Sequence, residues 1–142
     1  MLINTRDFGQ IEVSDDKVFS FPNGVYAFEE AKRFALISPL GEDVYPMWLQ
    51  CIDDIKPCFI VFDPRKIYSG YEISLSEGEK KLLKLTSDEQ IRTLCIAKVP
   101  ENYRETTVNM KSPIIINKED RVAAQIILPA DYPFRLPIYE KE

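Results

Sequence analysis

The sequence predicts a mainly β protein, folded as a small antiparallel barrel or a two-sheet sandwich with one short helix. Short apolar runs rich in β-branched and aromatic residues recur along the chain, and polar links that often contain Gly or Pro separate them. Strands and helices do not alternate as a parallel sheet requires, so an antiparallel architecture is favoured. At 142 residues the chain has the length of one ordinary domain, and we expect residues 1–142 to form one.

The first third of the chain is typical of strands joined by tight turns. Residues 2–5 and 9–13 flank an Asp-Phe-Gly sequence at residues 7–9, which predicts a hairpin. Residues 18–21 lead into Pro-Asn-Gly at residues 22–24, which combines the fixed φ of proline with two residues that tolerate positive φ. We therefore expect the chain to reverse direction there.

Three further apolar runs are predicted to pair as antiparallel strands. They are residues 34–40, 45–52 and 58–63. The polar links between them, residues 41–43 and 53–57, have the length of hairpin connections. Pro64 is predicted to end the third strand.

One segment carries the signals of a helix. Ser76 and Glu79 form a capping-box pattern, and leucines follow among lysines, so a helix is predicted over residues 76–85. Four more strands are predicted downstream, at residues 91–99, 106–109, 113–117 and 122–128. Residues 129–137 contain Pro at every fourth position, which predicts an extended segment without regular ladder pairing.

The composition excludes several classes of function. The chain has no histidine, so Ser-His-Asp or Cys-His catalysis and His-ligated zinc are excluded. A net charge of -5 disfavours general binding to nucleic-acid phosphates and favours basic protein partners. Neither a long apolar run nor a basic region followed by an apolar stretch is present, so we expect a cytoplasmic protein without a membrane segment.

The cysteines and paired carboxylates are candidate chemical groups, but each has a simpler structural interpretation. Cys51, Cys58 and Cys95 lie among apolar residues at spacings that match no zinc motif, which predicts buried thiols in a reducing compartment. A disulfide or metal pair between Cys51 and Cys58 is the alternative. Three carboxylate pairs, Asp15-Asp16, Glu29-Glu30 and Asp53-Asp54, are interpreted as solvated turns. No glycine-rich phosphate-binding motif occurs either. Together with the missing histidine, these observations predict no catalytic, cofactor or metal site.

The segment from Tyr68 to Glu72 is the best candidate for a protein contact. Tyr68 and Tyr71 border Gly70 in a loop between a strand and the predicted helix, and tyrosines on loops commonly anchor interfaces. The alternative is that both rings pack against the end of the barrel and leave their hydroxyls in water.

Seven stretches spread along the chain form an ordered set of motifs: residues 5–13, Phe21-Pro22-Asn23-Gly24 with Phe28-Glu29, Trp48-Leu49-Gln50, Phe62-Asp63-Pro64, Tyr71-Glu72, residues 109–117 and Ala124-Gln125-Ile126-Ile127-Leu128. In this order and spacing they resemble the flagellar assembly factor FliW family of bacteria. Departures from the family pattern include Tyr26-Ala27, where the family usually has Pro-Gly or Pro-Ala, and Met110 and Ser112, where it usually has Leu and Ala.

The resemblance implies an antiparallel β-barrel-like fold, no catalysis and two protein partners. These partners are flagellin and the carbon storage regulator CsrA, a small RNA-binding translational repressor whose RNA affinity the family reduces allosterically. The free protein is expected to be monomeric. The predicted contact residues are Tyr68, Tyr71 and Glu72, with Asn109 and Met110 as a second patch, since Met adapts to more than one partner. The alternatives are a nucleic-acid-binding barrel and an enzyme that uses carboxylates alone.

Overall fold

The structure, a computed structural model, describes residues 1–139 and is mainly β. The strands are β1 (Leu2–Asn4), β2 (Gln10–Glu12), β3 (Val18–Ser20), β4 (Arg33–Ile37), β5 (Met47–Cys51), β6 (Cys58–Phe62), β7 (Ile91–Lys98), β8 (Thr107–Val108), β9 (Ile114–Asn117), β10 (Val122–Gln125) and β11 (Leu136–Pro137). Two short α-helices, α1 (Pro64–Ile67) and α2 (Glu77–Leu82), lie between β6 and β7. Within the described residues, no helix has the length and apolar character to cross a membrane.

Seven of these strands close into a barrel, which decides between the barrel and the sandwich. The strand order is β7-β6-β5-β4-β3-β10-β9, and β9 pairs with β7 to close the ring. All neighbours are antiparallel except β3 and β10, which are parallel through Ser20 and Val122. The predicted hairpins of residues 34–63 are confirmed, with Phe34 opposite Cys51 and Gln50 opposite Cys58.

The barrel interior and the outer face of β7, β9 and β10 are both buried. The residues of β9 show this division, because Ile114 and Ile116 join the interior cluster while Ile115 joins the outer one. A strand covered on both faces is expected to be continuously apolar, as this one is. The interior cluster draws on all seven barrel strands and contains Phe19, Phe21, Phe34, Leu36, Met47, Leu49, Cys51, Val61, Leu94, Ile114, Ile116 and Ala123 together with Val25.

The predicted helix forms but is shorter than residues 76–85. Ser76 Oγ accepts from Glu79 N at 3.1 Å and Glu79 Oε1 accepts from Ser76 N at 2.8 Å, so the capping box is confirmed. The helix ends in a Schellman motif: Leu85 N donates to Lys80 O at 2.9 Å, and Lys84 takes a φ of 55°. The left-handed residue is a lysine rather than the usual glycine, so the sequence carries no clear stop signal.

Two local expectations require correction. Pro64 ends β6 as predicted but also begins α1, which the sequence pattern did not indicate; Asp63 Oδ1 caps this helix by accepting from Arg65 N at 2.9 Å. The Pro-rich segment was expected to avoid ladder pairing, yet Leu136 and Pro137 pair with β8. Pairing is feasible because a proline is tolerated on an edge strand.

The β1–β2 hairpin packs against β5 and β6 through its turn. Arg6 N donates to Gln50 Oε1 at 2.9 Å, and an Arg6 guanidinium nitrogen donates to Cys58 O at 2.9 Å. Trp48 Nε1 donates to Asp7 Oδ2 at 3.0 Å, and the Arg6 guanidinium holds the pKa of Asp7 below its ordinary value. The three cysteines are free and buried, as the sequence predicts, and burial raises the pKa of Cys58 to about 11.

Candidate protein-contact surfaces

The first candidate surface is the turn of residues 68–72, called here the tyrosine turn. It follows α1 directly, and Tyr68 N donates to Pro64 O at 2.9 Å. Tyr71 N donates to Tyr68 O at 3.2 Å across Gly70, whose φ is 81°. A positive φ at the third position is the requirement of a type II turn, and glycine meets it without steric cost.

The C-terminal segment supports the tyrosine turn from one side. The Tyr132 ring lies 4.6 Å from that of Tyr71 and 5.6 Å from that of Tyr68, measured between centroids. Glu72 N donates to the Tyr132 hydroxyl at 2.9 Å. The turn therefore has a defined shape that depends on residues 60 positions further along the chain.

The structure brings the second predicted patch to the same place. The Tyr71 hydroxyl donates to Met110 O at 2.5 Å, and Met110 N donates to Pro133 O at 3.0 Å. Asn109 is half-buried, and its side-chain oxygen accepts from Ser112 N at 2.9 Å and from Lys111 N at 3.1 Å. The two predicted patches are thus one connected assembly.

Burial corrects the role predicted for two of these residues. The side chains of Tyr71 and Met110 are 5% and 0% exposed, so in this conformation they present no surface to a partner. Burial also raises the pKa of Tyr71 above its ordinary value, so its hydroxyl stays protonated to a higher pH than that of an exposed tyrosine. Of the predicted contact residues, Tyr68 and Glu72 are exposed, with 40% of Tyr68 accessible.

A second candidate surface, which we call the acidic groove, lies at one end of the barrel. The β3–β4 and β5–β6 connections meet there because β4 begins where β5 ends, with Phe34 opposite Cys51. The groove has a volume of about 570 Å³. Its lining residues are Ala27, Phe28, Glu29, Glu30, Ala31, Cys51, Asp53, Asp54, Lys56 and Pro57.

The first wall of the groove is a tightly held turn. Phe28 N donates to Val25 O at 2.7 Å, and Ala27 has a φ of 70°, as the third residue of a type II turn requires. Tyr26 N donates to Gln125 Oε1 at 2.9 Å. Tyr26-Ala27, at the position where the resembled family has Pro-Gly or Pro-Ala, therefore still makes a tight turn.

The second wall is held in place by hydrogen bonds from one buried side chain. Gln50 is fully buried, and its amide nitrogen donates to Ile55 O and to Cys51 O, each at 3.0 Å. Asp54 Oδ1 accepts from Ile55 N at 2.7 Å. These bonds fix the loop that carries Asp53 and Asp54.

The sequence pattern identifies the groove's carboxylates as separate pairs, and their convergence has to be inferred from the predicted strand pairing. Glu29-Glu30 and Asp53-Asp54 are exposed in the loops between strands, as predicted, whereas Asp15-Asp16 is exposed but begins a short 3-10 helix, Asp15–Lys17, instead of a turn. The predicted antiparallel pairing of residues 34–40 with 45–52 already implies that the links at 22–33 and 53–57 share one end of the sheet. That implication is the signal from which the groove could have been found.

The fold and these surfaces define a small closed β-barrel that exposes two preformed surfaces at its loops. The family model described as FliW protein matches residues 2–138. The flagellar assembly factor FliW of Caldicellulosiruptor saccharolyticus is 35% identical over 141 residues, which cover 98% of this chain and 91% of that protein. The corresponding factor of Caldanaerobacter subterraneus subsp. tengcongensis is 37% identical, covering 99% and 95%.

A solved structure agrees with the sequence matches. The crystal structure of the flagellar assembly factor FliW superposes with a TM-score of 0.90 at 26% identity, covering 100% of this chain and 99% of that one. The chain belongs to the FliW family. The resemblance seen in the sequence is therefore confirmed, and so is the barrel fold that it implied.

Proposed function

We propose that this protein is a stoichiometric antagonist of the translational repressor CsrA and also a binding partner of flagellin. Bound to CsrA away from its RNA surface, it would lower the affinity of CsrA for RNA and so relieve repression of flagellin translation. Newly made flagellin would compete with CsrA for this protein. The CsrA released in this way would again repress translation of the flagellin message. The circuit is a partner switch that senses unassembled flagellin.

The observation that carries this proposal is the family match over residues 2–138, which includes both exposed surfaces. The net charge of -5 supports it, because a negative protein accelerates association with a basic RNA-binding partner. The tyrosine turn supports it as well, since an exposed tyrosine on a fixed turn is a common interface anchor.

The proposed function is binding, not catalysis, and it requires no cofactor or metal. We also propose that the protein acts in the cytoplasm and is monomeric when free. A chain without histidine lacks the most common general base. Direct binding of nucleic acid is disfavoured because four carboxylates and a single lysine line the acidic groove, and these repel phosphate. We assign contact roles to Tyr68, Glu72 and Asn109, and supporting roles to Tyr71 and Met110.

Calorimetric titration with CsrA, alone and after saturation with flagellin, tests the proposal. We expect CsrA to bind the free protein and flagellin to abolish that binding. Linkage also requires that RNA weaken CsrA binding to this protein by the same factor by which this protein weakens RNA binding. Failure of the folded protein to bind either partner would overturn the proposal.

Reversal of charge at Glu72 tests the tyrosine turn directly. Glu72→Lys is expected to weaken CsrA binding and flatten its salt dependence without lowering the melting temperature, because within residues 1–139 Glu72 supports the fold through its backbone N–H and its side chain is exposed. Glu42→Lys is the matched control, since it reverses the charge of another exposed glutamate in a loop. Equal affinities of the wild-type protein and Glu72→Lys would remove Glu72 from the site.

A further inference from the structure

We propose that the acidic groove is a docking site for an extended, cationic protein segment that carries an apolar side chain between basic residues. The tyrosine turn lies in the β6–β7 connection, whereas the groove is formed by the β3–β4 and β5–β6 connections. The inference therefore stands independently of the contact roles assigned to the tyrosine turn.

The charge of the groove selects a cationic occupant. Glu29, Glu30, Asp53 and Asp54 line it, and Lys56 is the one cationic side chain among the lining residues. Asp53 already has a partner in Arg33, at 2.5 Å. Neither Glu29 nor Glu30 forms an ion pair within residues 1–139, so both are available to lysine or arginine side chains of a partner.

The floor of the groove selects an apolar side chain as well. Phe28 is 43% exposed, although its ring packs 5.6 Å from Phe59 in an edge-to-face arrangement. Ala31 and Pro57 line the groove beside it. An apolar side chain placed on the open face of Phe28 would remove that surface from water, which a metal ion could not do.

The walls of the groove are already in place, so binding would not have to order them. A Cβ at Gly24 would lie 2.5 Å from Phe28 O, which shows how closely the first wall is folded on itself. The second wall is fixed by the Gln50 hydrogen bonds to the backbone. A preformed site avoids the entropic cost of loop ordering and retains more of the interaction energy as affinity.

The test uses a synthetic peptide with the sequence Lys-Arg-Leu-Arg-Lys, acetylated and amidated at its ends. We expect it to shift the amide NMR resonances of residues 27–31 and 51–57 at low salt. The double variant Glu29→Gln/Glu30→Gln is expected to weaken peptide binding about fivefold, since exposed ion pairs each contribute modestly. Replacing the peptide's Leu by Ser should weaken binding further without any change in the protein.

The control variant carries the same charge change at the opposite end of the barrel. Glu77→Gln/Glu89→Gln alters the β6–β7 connection, which leaves the barrel at the end away from the groove because β5 and β6 are antiparallel. We expect this variant to bind the peptide within about twofold of the wild type. Equal weakening in both variants would mean attraction by net charge alone and would overturn the proposal.

Two further outcomes would also overturn it. Resonance shifts centred outside the groove would place the peptide elsewhere. Equal affinity of the Leu and Ser peptides would show that the Phe28 floor takes no part and that any polycation binds. The result is separable from the partner switch, because these measurements use neither CsrA nor flagellin.

Discussion

The tyrosine turn and the acidic groove are both exposed and both firmly supported, but the kind of support differs. The tyrosine turn has a positive φ at Gly70 but also depends on a buried side chain, because the hydroxyl of Tyr71 bonds to the backbone of Met110. The first wall of the groove depends on backbone conformation, with Gly24 and Ala27 both in the left-handed region. The two surfaces should therefore respond to different substitutions, and a variant that damages one need not damage the other.

The two surfaces are nevertheless connected by hydrogen bonds. Gln125 accepts from Tyr26 N at the groove and donates to Ser112 O at 3.2 Å, and Ser112 N in turn donates to Asn109 Oδ1. Asn109 precedes Met110, to which Tyr71 bonds. Each surface is held mainly by its own contacts, and Gln125 links the two. The effects of variants at the two surfaces on stability should therefore be nearly additive, except for changes at Gln125 itself.

The largest expected effect comes from Gly24→Ala in the groove wall. The added Cβ would lie 2.5 Å from Phe28 O and 2.6 Å from Glu29 Cα, both backbone atoms, at a φ of +65°. Steric overlap and left-handed strain together should lower the free energy of unfolding by about 3 kcal/mol. Urea denaturation measures this.

Gly70→Ala in the tyrosine turn is the matched control for Gly24→Ala. Gly70 also has a positive φ, +81°, but no atom lies within 4 Å of the position that an added Cβ would take. Only the conformational strain remains, so we expect a loss of about 1 kcal/mol. Equal losses at Gly24 and Gly70 would show that the groove wall relaxes around a methyl group and is less rigid than its geometry implies.

The next effect, in order of size, is that of Tyr71→Phe. The variant keeps the ring but leaves Met110 O without its hydrogen bond in a buried site, and should lower the free energy of unfolding by about 1.5 kcal/mol. The native protein should also show a tyrosine that ionises only at unusually high pH, because burial raises the pKa of Tyr71. Ultraviolet absorbance at alkaline pH would detect the loss of that titration in the variant.

Tyr68→Phe is the control for Tyr71→Phe, because it removes a hydroxyl from an exposed tyrosine of the same turn. Tyr68 is 40% exposed, so its replacement should change stability by less than about 0.5 kcal/mol. If Tyr68→Phe destabilised the protein as much as Tyr71→Phe, the tyrosine turn would not depend on the bond to Met110.

Much of the fold follows from local sequence patterns, because hairpin order and capping are local properties. The strands of residues 34–63 and the Ser76 cap are predictable for that reason. The burial of Tyr71 and Met110 is not, since it depends on Tyr132 and Pro133, which are distant in sequence. That the groove's carboxylates share one end of the sheet follows from the antiparallel order of β4 and β5, whereas their exact placement also needs the register of these strands.

Apart from the near-neutral control Tyr68→Phe, Ala27→Gly has the smallest expected effect on stability, and it is the only variant expected to stabilise the protein. Ala27 holds a φ of 70°, which costs an L-residue about 1 to 2 kcal/mol and costs glycine almost nothing. Glycine also loses more freedom on folding, so the net gain should be about 0.5 kcal/mol. Ala31→Gly, in the same wall but without a positive φ, should instead destabilise the protein. If both variants lost stability in thermal denaturation, the turn at Ala27 would not be strained, and the groove would owe its shape to side chains just as the tyrosine turn does.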